Sequence, residues 1–423
     1  MSADQKKRVR ALWLCGVLHA FTHIYHVALM PLYFLIQQDF HLQSLGKATL
    51  LVTVMMVAYF LPSYPAGMLT DRVSRKKLLS LGLLMNALGF IGLGLSPNYS
   101  LALVSVSIAG TGGSFFHPAA TAMVARLYPV GTGRAIGLVA IGASVGFVVG
   151  PIYSGWRAQY AGWRAPTIEL GCLGVVGAIL FWLWADNDSS DAPQQRREAT
   201  STNLFPTPAL WAFFIAMSFF FSLRDFTGSS MGTLGSLFLQ QAHGFSLRAT
   251  GIALGCIFLM SIVSNPLVGT LSDRGRIRWG FIILTMAAGA VAIFPHLPRA
   301  AVIPGLMVYG FFLPASYPVI EAALMESVPD AVRGRVFGFF ITIGGLVGNL
   351  SHWLVGRWVQ HLGPHVDSPS GFYSLYAILA LLVLCSLFGL PCLHAIRKRE
   401  HLDTAPPGPA KRPVELVMQN PEV

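Results

Sequence analysis

Two pseudo-symmetric bundles of six membrane-spanning α-helices each, an all-α integral membrane protein, are expected from three features of this 423-residue sequence. The chain is 54% hydrophobic and only 11% charged, whereas soluble domains carry about 25% Asp, Glu, Lys and Arg, and its mean hydropathy is +0.60. Apolar stretches long enough to cross a bilayer recur twelve times. A polar loop motif occurs twice, 202 residues apart. These features exclude a cytosolic enzyme, a secreted protein and a nucleic-acid binder. Cys15, Cys172, Cys256, Cys385 and Cys392 lie singly in apolar stretches without metal or disulfide spacing, and are read as small buried hydrophobes.

A hydrocarbon core of about 30 Å takes roughly 20 apolar residues per helix. Such stretches run approximately over 11–36, 48–70, 78–96, 101–125, 135–156, 165–185, 208–239, 249–271, 279–298, 300–325, 336–356 and 370–395. The first follows Lys6, Lys7, Arg8 and Arg10 and so mimics a secretory leader. It is too long for one, lacks a small-residue cleavage site and leads straight into another span, so it is expected to remain as the first helix. With the N-terminus inside, 22 basic residues fall on inner segments and six on outer ones. The asymmetry predicts an inner (plasma) membrane protein with both termini cytoplasmic. The net charge of +11 is therefore a topology signal, and no nucleic-acid partner is expected. Residues 1–10 form a cytoplasmic N-terminus, 11–185 the first bundle, 186–207 a cytoplasmic linker, 208–395 the second bundle, and 396–423 a polar, Pro-rich tail expected to be disordered.

The repeat is explicit. Gly67-Met68-Leu69-Thr70-Asp71-Arg72 follows the second span, and Gly269-Thr270-Leu271-Ser272-Asp273-Arg274 follows the eighth. Phe116-His117-Pro118 is echoed by Ser316-Tyr317-Pro318 at an offset of 200, and Arg134 and Gly137 by Arg335 and Gly338 at 201. Two like-oriented halves are the signature of a parallel internal repeat. The segment Gly67 to Lys77 resembles the loop signature of the major facilitator superfamily, with Ser74 in place of the usual second Gly. Gly137, Gly146, Gly150-Pro151 and Gly155 resemble a fifth-helix pattern found mainly in its proton-coupled exporters. Gly110 to Pro118, together with Glu326 and Pro329, resembles the fosmidomycin-resistance-type branch. Ser107 stands where many drug exporters carry an Arg, so proton coupling through that Arg is not implied.

Candidate functional residues follow from the cost of placing polar groups in a bilayer. His19, His23 and His26 are spaced by four and three, so they share one face of the first helix. They suit cavity lining and proton carriage; with no acidic or thiol ligand nearby in sequence, no metal is expected. Arg224 and Asp225 lie near the middle of the seventh span, each at a cost of roughly 2.5–3.5 kcal/mol. Being adjacent, they are expected to point apart and find partners elsewhere, with Arg224 meeting the substrate or Glu321. Tyr317 and Glu321 share a face of the tenth span, bent by Pro314 and Pro318. Glu169, five residues from Arg164, reads as a solvated or capping group. The loops with Gly67, Asp71, Arg72, Arg75, Gly269, Asp273 and Arg274 anchor topology or, by the resemblance, latch the halves during switching. Gly142, Gly146, Gly150 and Pro151 describe a tight, bent packing seam on the fifth helix.

The resemblance implies that the first, fourth, seventh and tenth helices line a central cavity, so that His19, His23, His26, His117, Arg224, Asp225, Tyr317 and Glu321 meet there. It further implies a monomeric secondary transporter, not an enzyme, working by alternating access without a cofactor. The expected activity is proton-coupled export of a small molecule. Arg224 and the imidazoles suit an anionic or zwitterionic substrate, a phosphonate by resemblance, whereas Asp225 and Glu321 serve a cation equally well. A proton-coupled importer of an organic anion or nutrient is the same-fold alternative, and a non-transporting receptor or scaffold the more distant one.

Overall fold

The computed structural model describes residues 3–70, 72–128, 131–186 and 204–403. Within them twelve apolar helices are long enough to cross a membrane: α1 Gln5–Asp39, α2 Leu45–Leu69, α3 Arg75–Leu95, α4 Tyr99–Leu127, α5 Arg134–Ala161, α6 Arg164–Trp184, α7 Pro208–Gln241, α8 Leu247–Ser272, α9 Arg276–His296, α10 Arg299–Glu326, α11 Val332–His361 and α12 Pro369–Lys398. A helix satisfies its own backbone polar groups, which hydrocarbon cannot do for it. The last helix continues to Asp403, so residues 396–403, expected in the tail, extend α12. Most of the linker (187–203) and residues 404–423 lie outside the described residues.

The helices pack as two copies of one pattern. In the first half α1 packs on α5, α4 on α2 and α3, and α3 on α6. In the second half α7 packs on α11, α10 on α8 and α9, and α9 on α12. The halves meet where α5 contacts α8 and α2 contacts α11, two contacts exchanged by the repeat. Neither α1, α4, α7 nor α10 is needed for those two seams, which leaves these four helices around the space between the halves.

Proline places the breaks. Pro118 has no N–H to donate to Ser114, and α4 is interrupted there: one segment ends at Ser114 and the next begins at Phe116. His117 sits at that kink. Pro31 similarly turns α1 into a 3-10 segment at Met30–Leu32. Carbonyls of this segment accept from the other half: Ser236 Oγ donates to Met30 O at 2.6 Å, and Gln240 Nε2 to Pro31 O at 3.2 Å.

Those bonds belong to a seal on the face opposite the chain termini, here called the far face. Gln360 Oε1 accepts from Leu45 N at 3.0 Å, and Gln360 Nε2 donates to Gln43 O at 3.1 Å. Thr53 Oγ1 donates to Asn349 O at 2.9 Å and accepts from Trp353 N at 3.1 Å. Glycines let the backbones approach: a Cβ on Gly155 would run into Leu247 O, one on Gly251 into Pro151 O, and one on Gly356 into the Thr49 hydroxyl. At the terminal face, by contrast, Gly137, Gly334 and Gly338 have open space where a Cβ would go. The halves are drawn together at the far face and spread toward the termini.

Candidate functional site

Two polar centres occupy the middle of the molecule, one in each half. In the first, His19, His23 and His26 share one face of α1 and the α4 kink brings His117 against them. Ring centroids lie 4.8 Å apart for His19 and His23, 5.1 Å for His19 and His117, and 5.0 Å for His23 and His26. Tyr59 of α2 adds an edge-on contact 4.6 Å from His26.

The α5 glycines explain how His19 is held. A Cβ on Gly142 or Gly146 would strike the carbonyls of Gly16 and Ala20, so the seam is α5 against α1 within one half. That approach brings His19 Nδ1 to 3.0 Å from Val139 O, which leaves His19 Nε2 3.1 Å from His23 Nε2. Phe116 stacks on His19 at 4.6 Å, and Phe147 lies 4.3 Å from His23. His19 and His26 are buried, but His117 is exposed.

The second centre corrects one expectation. Arg224 and Asp225 do pair: Asp225 Oδ1 accepts from Arg224 Nη2 at 2.7 Å and from Nε at 2.9 Å. The Cα–Cβ bonds diverge as helical geometry requires, but the long Arg224 side chain curls back to its neighbour. Its guanidinium lies 4.1 Å over the Tyr317 ring and donates weakly to Ser316 O at 3.4 Å. Arg224 is only 1% exposed. Asp225 fits because α11 offers glycines: a Cβ on Gly344 would strike Asp225 Oδ2, and one on Gly348 would lie 3.0 Å from its Cβ. Glu321 sits within electrostatic reach of both Arg224 and Asp225. Among the described residues it has no ion-pair partner within 4.0 Å.

The eight expected residues thus fall into two quartets with no hydrogen bond, ion pair or ring contact between them. Between them stand aromatic rings: Phe60, 5.0 Å from Tyr59, fills the space where a Cβ on Gly345 would go, and Phe147 stacks on Phe258 of the other half at 4.6 Å. A polar thread also joins the halves. His352 is bonded to Thr233 at 2.6 Å and to Asn349 at 3.1 Å, and Thr233 to Tyr33 at 3.0 Å. His352 also lies within electrostatic reach of His26. The signal for it was present: Asn349 and His352, three apart in an apolar span, share a helix face.

Other sites fall elsewhere. Glu169 takes its partner from α5, not Arg164: Arg157 at 2.8 Å and the Tyr153 hydroxyl at 2.6 Å, while Arg164 pairs with Asp39 at 2.7 Å. In the second loop, Arg276 binds Asp273 and Glu326, each at 2.8 Å, and donates to Gly269 O at 3.2 Å, all inside one half. Arg274 and Arg72 are exposed and Arg75 is buried. A Cβ on Gly67 would lie 3.8 Å from Pro118 Cβ, and Asp71 lies outside the described residues.

Twelve spans in two like halves around mid-depth polar centres are the build of a membrane transporter. The sequence profile of the Major Facilitator Superfamily matches residues 12–352, and the chain belongs to that family. It is 34% identical to multidrug resistance protein MdtH of Shigella dysenteriae, over 76% of this chain and 79% of the relative. It is 23% identical to the fosmidomycin resistance protein of Escherichia coli K12, over 88% of this chain and 90% of that one. In structure it resembles a bacterial homologue of the human lysosomal transporter Spinster, inward-facing and unoccupied, with a TM-score of 0.76 at 17% identity over 96% of this chain and 100% of the other. The nucleoside transporter NupG gives a TM-score of 0.73 at 15% identity, over 90% and 99%. The chain is a multi-pass inner-membrane transporter and not an enzyme.

Proposed function

We propose that the chain is a proton-coupled exporter of small molecules, and that the carboxylates of the second centre exchange a proton for solute. The carrying observation is charge balance: one guanidinium, Arg224, stands beside two carboxylates, Asp225 and Glu321, and is already paired with the first. The centre therefore has a carboxylate to spare. A proton and a cationic group compete for that negative charge, and competition at one site is what antiport requires. An anion would instead have to displace Asp225 from Arg224, and protonating Asp225 would help it do so, which couples proton and solute in the same direction. The reading thus favours a cationic or zwitterionic solute over the purely anionic or phosphonate one that the resemblance suggests.

The multidrug relatives support export, and the positive side chains near the termini support a cytoplasmic terminal face. In this reading a chamber between the halves, closed by the far-face seal and walled in part by the exposed His117, opens to the cytoplasm, where an exporter loads. For a net-neutral zwitterion, one proton moving down about 150 mV supplies roughly 3.5 kcal/mol, enough to hold a gradient of about 300-fold; for a monocation the one-for-one exchange moves no net charge, and the proton concentration difference alone drives it. The chain works as a monomer in this scheme. The test is proton release from loaded inverted vesicles on adding a cationic dye substrate. Wild type is expected to release protons and accumulate dye; Glu321→Gln is expected to lose both. Dye accumulation that persists unchanged in Glu321→Gln and Asp225→Asn would remove the carboxylates from coupling.

A further inference from the structure

The geometry points to a divalent transition-metal site in the first half, built by His19, His23 and His117 on α1 and α4, and holding an ion such as Zn2+, Co2+ or Ni2+. It stands whether or not the chain exchanges protons for solute. His19 and His23 bring two imidazoles from one face of α1, and the α4 kink supplies the third, His117. One ring nitrogen from each of the three lies within 4.8 Å of the others.

Two features distinguish this cluster from imidazoles that merely pack together. First, His19 and His23 turn the same atoms, their Nε2 nitrogens, toward each other at 3.1 Å. Two nitrogens bound tetrahedrally about 2.05 Å from one zinc would lie roughly 3.3 Å apart. Second, His19 Nδ1 is 3.0 Å from the Val139 carbonyl, which can only accept, so the proton of a neutral His19 is on Nδ1 and its lone pair on Nε2 points at His23. A backbone carbonyl on the far nitrogen is how ligating imidazoles are fixed in tautomer and orientation.

The surroundings favour a defined site. Phe116 stacks on His19 and Phe147 packs on His23, so both rings are held from their flat sides. His117 is the exposed member and marks the side on which an ion enters. Three imidazoles leave a fourth position on the chamber side for water or for a donor atom of a solute, the arrangement of zinc sites with an open coordination position. Neutral imidazole nitrogens prefer zinc, nickel and copper to magnesium or calcium, which seek oxygen ligands.

The experiment is a Co2+ titration of the full chain, purified in detergent without a polyhistidine tag and stripped of metal. Absorption bands of tetrahedral Co2+ report nitrogen ligation directly. The expected result is one Co2+ per chain with tetrahedral bands, displaced by Zn2+ and not by Mg2+. His117→Ala, at an exposed position, should keep the thermal unfolding temperature and weaken Co2+ binding at least about 100-fold, since even second-shell changes cost 10–100-fold. His361→Ala/His365→Ala, two imidazoles near the far face, should bind as wild type. Folded wild type with no tetrahedral Co2+ signal overturns the site and leaves a proton shared between the two Nε2 atoms. A His117→Ala protein that binds Co2+ as tightly as wild type overturns it too.

Discussion

The two halves descend from one pattern of helices, yet they hold opposite chemistries at the same depth. The first half gathers imidazoles, neutral donors and acceptors that sit close without repelling one another. The second gathers full charges, and needs an ion pair in which one Asp225 oxygen accepts twice from Arg224, an aromatic face and two glycines to hold them. Repetition of the scaffold therefore fixes where a site lies and not what it binds. Phe116-His117-Pro118 and Ser316-Tyr317-Pro318 show this directly: one frame puts an imidazole at a broken helix, the other a phenol beside a guanidinium.

The comparison breaks most easily in the second half. Asp225→Asn strands Arg224, 1% exposed, without its counter-charge. Loss of one partner of a buried pair costs about 3–5 kcal/mol, and the expected outcome is a large fall in unfolding temperature together with loss of transport. The double change Arg224→Leu/Asp225→Leu should recover most of that stability and none of the activity. If it recovers activity as well, the pair is structural only.

Next comes the glycine cradle. Gly344→Ala places a methyl group against Asp225 Oδ2 and should act through the carboxylate, costing about 1–3 kcal/mol. Gly338→Ala on the same helix meets open space and should be silent in the same unfolding assay. Equal effects at both positions would show that Gly344 does not serve Asp225. The smallest effect is expected at the terminal face. Arg276 pairs there with Asp273 and Glu326, both well exposed, so Arg276→Ala should cost only about 0.2–1 kcal/mol and diminish further in salt. A loss several times larger would mean that the loop network carries load between conformations.

The twelve helices and their two-fold organisation were legible because both follow from composition and repetition: a bilayer demands long apolar runs, and the Gly67 and Gly269 loops mark the copies. The α1 imidazole face was legible because helical spacing alone sets it. Helical spacing also misled at Arg224 and Asp225, since it fixes where a side chain leaves the backbone and not where a flexible guanidinium ends. The partition into two quartets was invisible, because the aromatic rings between them, Tyr59, Phe60, Phe147 and Phe258, look like ordinary apolar residues in a row of apolar residues. Nor does a sequence reveal which face is sealed. The same glycines pack α5 on α1 and α5 on α8, and only contacts separate Gly146 against Ala20 from Gly155 against Leu247.

The central claim is a chamber between the halves, closed at the far face, with His117 on its wall. Thiol labelling tests it most directly, with His117→Cys in a chain whose five natural cysteines are replaced by serine. A membrane-impermeant maleimide added from the side that bears the termini should label this cysteine rapidly, and from the far side slowly. Adding Gly251→Leu, which forces Pro151 and α8 apart, should raise the far-side rate. Labelling from neither side, with reaction only to a lipid-soluble maleimide, would place His117 against hydrocarbon and contradict the chamber.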